Sequence, residues 1–163
     1  MEKAYFAGGC FWCITPTFRE MGGVADVISG YSGGDEVAPS YEDVKNQRTG
    51  HRETICVEFE AEKVSFENLM DIFLCSVDPF DDGGQFIDRG FSYTLAVYYL
   101  NDSQKAVAEK LLDRLQQEAG KEACIAVEPF KNFYSAEEYH QNYDLKNPEA
   151  FRRELLESGR VKA

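Results

Sequence analysis

The chain has 163 residues, 29 acidic against 17 basic, and a net charge of −12; one domain spanning 1–163 is long enough to bury a core without disulfides or structural metal. That charge offers phosphate backbones and anionic lipid no attraction, so nucleic acid and membrane are not expected partners. The opening MEKAYFAGG lacks the apolar run of a signal peptide and no later stretch is apolar enough to span a bilayer, so a cytoplasmic protein is expected, in which five cysteines cannot all pair and any disulfide is catalytic rather than structural.

Residues 3–7 (KAYFA) read as a short strand running into Gly8-Gly9, where the chain can turn sharply and admit another backbone closely. Cys10 then stands where a strand gives way to a helix. Pro16 fits a helix's first turn but not its interior, so the helix either starts near Thr15 or is kinked after one turn from Cys10. VADVISGY is a second strand entering a glycine turn at 30–34, and Ser40-Tyr41-Glu42-Asp43 resembles a capping box opening a short helix. HRETICVEFE alternates as a strand does; Phe66, Leu69, Met70, Phe73 and Val77 fall at helical spacing; SYTLAVYYL is a buried strand. A helix with Ser103 as cap and Gly120 as stop follows, then a last strand in EACIAVEPF and helices from Ser135 and from Asn147-Pro148. Strands and helices that interleave without a phosphate-binding glycine motif predict an α+β two-layer sandwich, helices on one face of a mixed sheet.

The chemistry gathers at GGCFWCI, residues 8–14. Thiolate is the reactive form of cysteine, and unpaired N–H groups at a helix start favour it, which singles out Cys10. Cys13, one helical turn away, is within reach of a disulfide with it. The plain alternative is that both thiols are buried filler. Zinc is not expected, because no second C-x-x-C exists and His51 and His140 are the only histidines. Phe11 and Trp12 are either core or the walls of a small apolar pocket fit for a methyl or thioether group. Tyr31 is either a hydroxyl donor held by a tight turn or a surface tyrosine. Glu53 shares its strand face with Ile55, Val57 and Phe59, so unless a bulge intervenes its carboxyl points to the apolar side, where desolvation can keep it protonated as a general acid; the plain alternative is a strand-end glutamate in solvent. Cys56, Cys75 and Cys124 are taken as filler.

GGCFWC, GYSGG at 30–34, YEDVKNQRTGHRE at 41–53, DPFDDGGQFIDRGFSY at 78–93 and EEYHQNY at 137–143 together resemble the A-type peptide methionine sulfoxide reductases, in family order and over nearly the whole chain. The resemblance implies a ferredoxin-like core with Cys10 as nucleophile and Phe11 and Trp12 enclosing the substrate methyl group. It also implies Glu53 as the acid, Tyr31 and Tyr93 bonding the sulfoxide oxygen, Asp88 supporting the site, and the S epimer as substrate. Many relatives carry glycine at position 13 and keep a resolving cysteine in a C-terminal tail; this chain has no cysteine beyond Cys124.

A sulfoxide sulfur yields to a thiolate only when its oxygen is protonated, so the site needs a nucleophile and an acid. Cys10 would become a sulfenic acid, Cys13 would condense with it, and thioredoxin would reduce the disulfide, with no cofactor beyond that external thiol. A monomer is expected. Three rival readings remain for the same thiols: a thioredoxin-like disulfide oxidoreductase, a hydrolase pairing Cys10 with His140, and a redox-regulated binding module.

Overall fold

Alternation along the first strand gives it two unlike faces, with Ala4 and Phe6 on one, Tyr5 and Ala7 on the other, and all four buried. In the computed structural model, which describes residues 1–160, this strand, β1 (Glu2–Gly8), lies between β3 (Arg52–Phe59) and β6 (Leu95–Tyr99) and is antiparallel to both. β2 (Val24–Ser32) pairs antiparallel with the far side of β3. The order β6-β1-β3-β2, with α1 (Phe11–Arg19) after β1 and α3 (Phe66–Ser76) after β3, is the βαββαβ arrangement of a ferredoxin-like core. Two additions widen the sheet to six strands. β7 (Ile125–Pro129) joins β6 in parallel by way of α4 (Asp102–Ala119), and β8 (Tyr134–Ser135) joins β2. The sheet is mixed and the fold α+β.

The helix-bearing face buries Phe6, Ile14, Phe18, Ile55, Phe59 and Phe73 in one cluster, with the Phe6 ring stacked 5.0 Å from Phe73 and 5.4 Å from Phe18. Truncating such a ring to alanine costs about 3–5 kcal/mol. On the other face Tyr5, Ala7, Cys56, Ala96 and Tyr98 form a smaller cluster, roofed by Phe130 and Phe133 from the segment between β7 and β8. Cys56 is filler as its alternation predicts.

Several elements differ from the sequence expectation, each for a local reason. Helix α4 is capped by Asn101, whose extended backbone lets its side chain accept from Gln104 N at 2.9 Å, so Ser103 lies inside the first turn. Gly120 does stop it, in the left-handed conformation at φ 70°. Residues 92–94 are not strand: a 3-10 turn at Phe91–Tyr93 precedes β6. Ser135 ends β8 rather than starting a helix, because its edge hydrogen bonds to β2 replace the capping role; a 3-10 turn at Glu138–His140 and α5 (Tyr143–Lys146) follow. Helix α6 (Pro148–Ser158) starts on Pro148 as expected. Ser40 accepts from Asp43 N at the head of α2 (Tyr41–Lys45), and the reciprocal capping box is at Ser65 and Asn68 instead. Among the described residues no helix is long and apolar enough to cross a membrane.

Candidate active site

Cys10 is the N-cap of α1, which begins at Phe11 and carries Pro16 in its interior, so the helix starts at the cysteine and not near Thr15. The two glycines are needed for space. A side chain at Gly8 would press on Ile14, Phe73 and Val77 within 3.2 Å, and Gly9, at φ 84°, has Arg160 Nη2 and Gln85 Cβ each 2.7 Å from where a Cβ would stand. Cys13 N donates to Cys10 O at 3.1 Å, closing one tight turn that sets the two cysteines beside each other at the head of α1, where they titrate together.

Glu53 enters from β3 on the helix side, only 1 % exposed, and its Oε1 accepts the Phe11 amide at 3.2 Å. Burial raises its carboxyl to about pKa 8, with Asp88 and Cys13 adding to the shift and the Phe11 amide and Tyr93 hydroxyl opposing it. At neutral pH this carboxyl is protonated. Beside Cys10 opens a cavity of about 270 Å³ lined by Cys10, Trp12, Cys13, Tyr41, Asp88 and Tyr93 among others, while Glu53 lies buried behind this lining, against the Phe11 amide. Burial and the nearby Glu53 hold the Tyr41 and Tyr93 hydroxyls well above the usual phenol range, so both remain O–H donors. Asp88, carried by the hairpin β4 (Gly84–Gln85) and β5 (Asp88–Arg89), is raised by burial although Arg160 and Lys45 pull the other way.

The expectation of a helix-lowered Cys10 thiol is corrected by this geometry. The first free amide of α1 goes to Glu53 rather than to the sulfur. The hydrogen bond with Cys13, burial, and the Glu53 and Asp88 carboxylates together push Cys10 up, while the bond from Cys10 lowers Cys13 against its own burial, helped by Arg160. A protonated Glu53 removes one of the charges that oppose a Cys10 thiolate.

Tyr31 is also corrected. It is fully buried and its hydroxyl donates to Glu137 Oε1 at 2.8 Å, away from the cavity. The tyrosine that joins Tyr93 at the cavity is Tyr41, whose backbone amide is held by Glu137 Oε2 at 3.0 Å. The sequence signal for it was present, since Tyr41 opens one of the family blocks, but GYSGG drew the role to Tyr31. Of the aromatic pair, Trp12 lines the cavity, whereas Phe11 is 1 % exposed behind it, against Tyr31 and His140.

Trp12 is fixed by His140 and Tyr143, and the His140 ring faces the indole rather than serving as a base for Cys10. Its indole Nε1 donates to His140 Nδ1 at 3.0 Å, and Tyr143 stacks on it with centroids 3.9 Å apart. Burial lowers the His140 pKa, so the ring is neutral and its proton sits on Nε2, as the indole bond requires. Cys75, expected as apolar filler, is exposed on α3. Among the described residues no three His, Cys, Asp or Glu side chains gather as a metal ion needs.

A family model described as Peptide methionine sulfoxide reductase matches residues 2–163. Peptide methionine sulfoxide reductase MsrA 2 of Staphylococcus aureus (strain Mu50 / ATCC 700699) is 44% identical over 161 residues, 98% of this chain and 91% of the relative. Peptide methionine sulfoxide reductase MsrA of Bacillus subtilis (strain 168) is 44% identical over 162 residues, 98% of this chain and 92% of its own. Mxr1 from Saccharomyces cerevisiae in reduced form superposes with a TM-score of 0.85 at 29% identity, covering 91% of this chain and 86% of that one. Mxr1 has also been solved in complex with Trx2, in which form it aligns with a TM-score of 0.57 at 22% identity over 87% of this chain and 84% of that one.

Proposed function

Belonging to the peptide methionine sulfoxide reductase family, the chain reduces methionine sulfoxide, and we propose that it takes the S epimer, free or in proteins, with Cys10 as nucleophile, Glu53 as acid and Cys13 as resolving thiol. The observation that carries this assignment is a buried carboxyl, protonated at neutral pH, held on the amide of the residue that follows the Cys10 thiol.

Cys10 sulfur attacks the sulfoxide sulfur while Glu53 delivers its proton to the oxygen, with the Tyr41 and Tyr93 hydroxyls as donors that hold that oxygen in one direction. Trp12 supplies an apolar wall for the methyl group, and Asp88 also lines the cavity. The protonated oxygen then passes from the methionine sulfur to the Cys10 sulfur as the bond between the two sulfurs breaks, so methionine leaves and Cys10 is left as a sulfenic acid. The Cys13 thiol then displaces it as water, forming the Cys10–Cys13 disulfide before further oxidation of Cys10. A dithiol of the thioredoxin class reduces that disulfide by exchange, which suits a reducing, cytoplasmic setting and calls for no prosthetic group. The Mxr1 complex with Trx2 supports this choice of reductant. The groups named all lie within the single domain 1–163, which we read as acting as a monomer.

A chiral sulfur presented to a fixed thiol and a fixed acid reacts in one hand only. Peptides carrying each epimer, incubated with dithiothreitol or with thioredoxin, should yield methionine from the S epimer alone. Equal turnover of the R epimer rejects the assignment.

A further inference from the structure

Arg160, just beyond α6, reaches back across the molecule to the β1–α1 junction. Its Nη2 donates to Gly8 O at 2.9 Å and its Nη1 to Ser76 O at 3.1 Å. Gly8 ends β1 and Ser76 ends α3, so the guanidinium is clamped between a strand end and an unpaired helix-terminal carbonyl, where a cation is favoured. The Phe86 ring lies 4.8 Å from the guanidinium carbon on one side. Its Nε is buried and has no hydrogen-bond partner among the described residues. Arg160 and Cys13 line one cavity of about 380 Å³, beside the exposed Cys75 of α3 and Phe151 and Leu155 of α6. None of this arrangement serves the attack on the sulfoxide, which takes place in front of Glu53.

We propose that Arg160 is a positioning residue for the resolving step, its clamped guanidinium holding Cys13 as the thiolate that attacks oxidised Cys10. The inference rests on the roles assigned to Cys10 and Cys13 above. The titratable groups that face Cys13 are the Cys10 thiol from the head of α1, Asp88 from β5, Glu154 and Glu157 from α6, Tyr41 and Lys45 from α2, Tyr93 before β6, Cys75 from α3 and Arg160. The Asp88 and Glu154 carboxylates oppose a negative sulfur, and Arg160, which shares the cavity on the Cys75 side with Cys13, favours it, whereas Lys45 lies in the substrate cavity. In the reduced protein the neighbouring Cys10 thiol also lowers Cys13. That neighbour changes once Cys10 carries oxygen, and Arg160 remains. The Cys13 sulfur then forms the S–S bond, the S–O bond of the sulfenic acid breaks, and the departing hydroxide takes a proton from solvent to leave as water. The sulfenic acid is the oxidant and is reduced to the disulfide level by the incoming thiolate, so no further reagent is required.

The test mixes one equivalent of S-epimer substrate with the native protein, Arg160→Met and Arg160→Lys. Disappearance of dimedone-trappable sulfenic acid is followed across the pH range in which thiols titrate, and the methionine burst in the same samples reports the first step separately. Methionine keeps an apolar stem over Phe86 and removes the charge; lysine restores the charge with fewer hydrogen bonds. The expected result for Arg160→Met is disulfide formation slowed about tenfold at neutral pH with its midpoint moved up by about one pH unit, a one-unit pKa shift being a tenfold change in thiolate. Arg160→Lys should recover most of both. A midpoint unmoved in Arg160→Met, or an equal loss in Arg160→Lys, would overturn the inference and leave Arg160 as a structural clamp. No methionine burst from the native protein would overturn the reductase reading and this inference with it.

Discussion

Tyr31 and Glu53 stand directly opposite each other on β2 and β3, yet their polar ends part company, the phenol to Glu137 Oε1 at 2.8 Å and the carboxyl to the Phe11 amide at 3.2 Å. Glu137 thus ties Tyr31 down with one oxygen while its other holds the backbone of Tyr41 at the cavity. Tyr31→Phe should leave Glu137 one partner short and cost roughly 1–2 kcal/mol of stability, seen as a lower urea midpoint. Its kcat/KM should fall far less than in Tyr41→Phe or Tyr93→Phe, each of which should lose about 10- to 100-fold by removing a donor to the sulfoxide oxygen. The reverse order of losses would return the oxygen-binding role to Tyr31.

Glu53→Gln keeps a hydrogen-bonding group of nearly the same shape but cannot deliver a proton. The single-turnover rate of methionine formation should fall about 10²- to 10⁴-fold. In the native enzyme the acid form persists up to about pH 8, so the rate should decline as pH rises above that value. The glutamine variant should lack this alkaline limb. Stopped-flow rates measured in the Cys13→Ser background isolate the step, and an unchanged profile would pass the proton to a tyrosine or to water.

The same carboxyl links stability to pH. Its folded pKa of about 8 lies above the ordinary glutamate value of 4.5, so between those values the native state binds a proton that the unfolded chain has lost. Native stability should therefore fall as pH rises from 4.5 to 8 and level off beyond, by on the order of 3 kcal/mol at pH 7. Urea unfolding of Glu53→Gln should show that contribution flattened. A native stability curve that rises across this window relative to the variant contradicts the assignment.

Cys13→Ser should give one methionine per enzyme and no thioredoxin-driven turnover, because the first attack uses Cys10 alone. Cys10→Ser should give neither. Native-rate cycling by Cys13→Ser would make the exposed Cys75 the first alternative resolving thiol, since it lines the same cavity as Cys13.

Gly9→Ala places a Cβ where φ is 84° and where Arg160 Nη2 and Gln85 Cβ lie 2.7 Å away. The backbone term alone costs about 1–2 kcal/mol, and the clash adds to it. A urea midpoint equal to that of the native protein would show that the junction relaxes freely.

The parts of the site carried by regular elements were legible from the chain. Period-two alternation put Glu53 on the face of Ile55, Val57 and Phe59, and all four are buried there. Gly120 and Pro148 marked helix ends because their backbone preferences act locally. What escaped depends on contacts between distant segments, which leave no periodicity. Tyr41 and Tyr31 have equal claims on composition, and only Glu137, about a hundred residues on, decides between them. The helix-start argument for Cys10 failed in the same way, because the amide it relied on is taken by a strand residue. Ser135 and Asn101 show the local form of the problem: a capping residue type is only a cap where the neighbouring backbone leaves its side chain an amide to accept.

Trp12 is the single tryptophan of the chain, and it is fastened between His140 and Tyr143 with Cys13 as its next residue. Indole emission of the folded protein therefore comes entirely from the reaction centre, and disulfides quench nearby excited indoles. The protein carries its own optical gauge: each passage of Cys10 and Cys13 between thiol and disulfide should register as a change in ultraviolet fluorescence, without a label and without altering any group in the cavity.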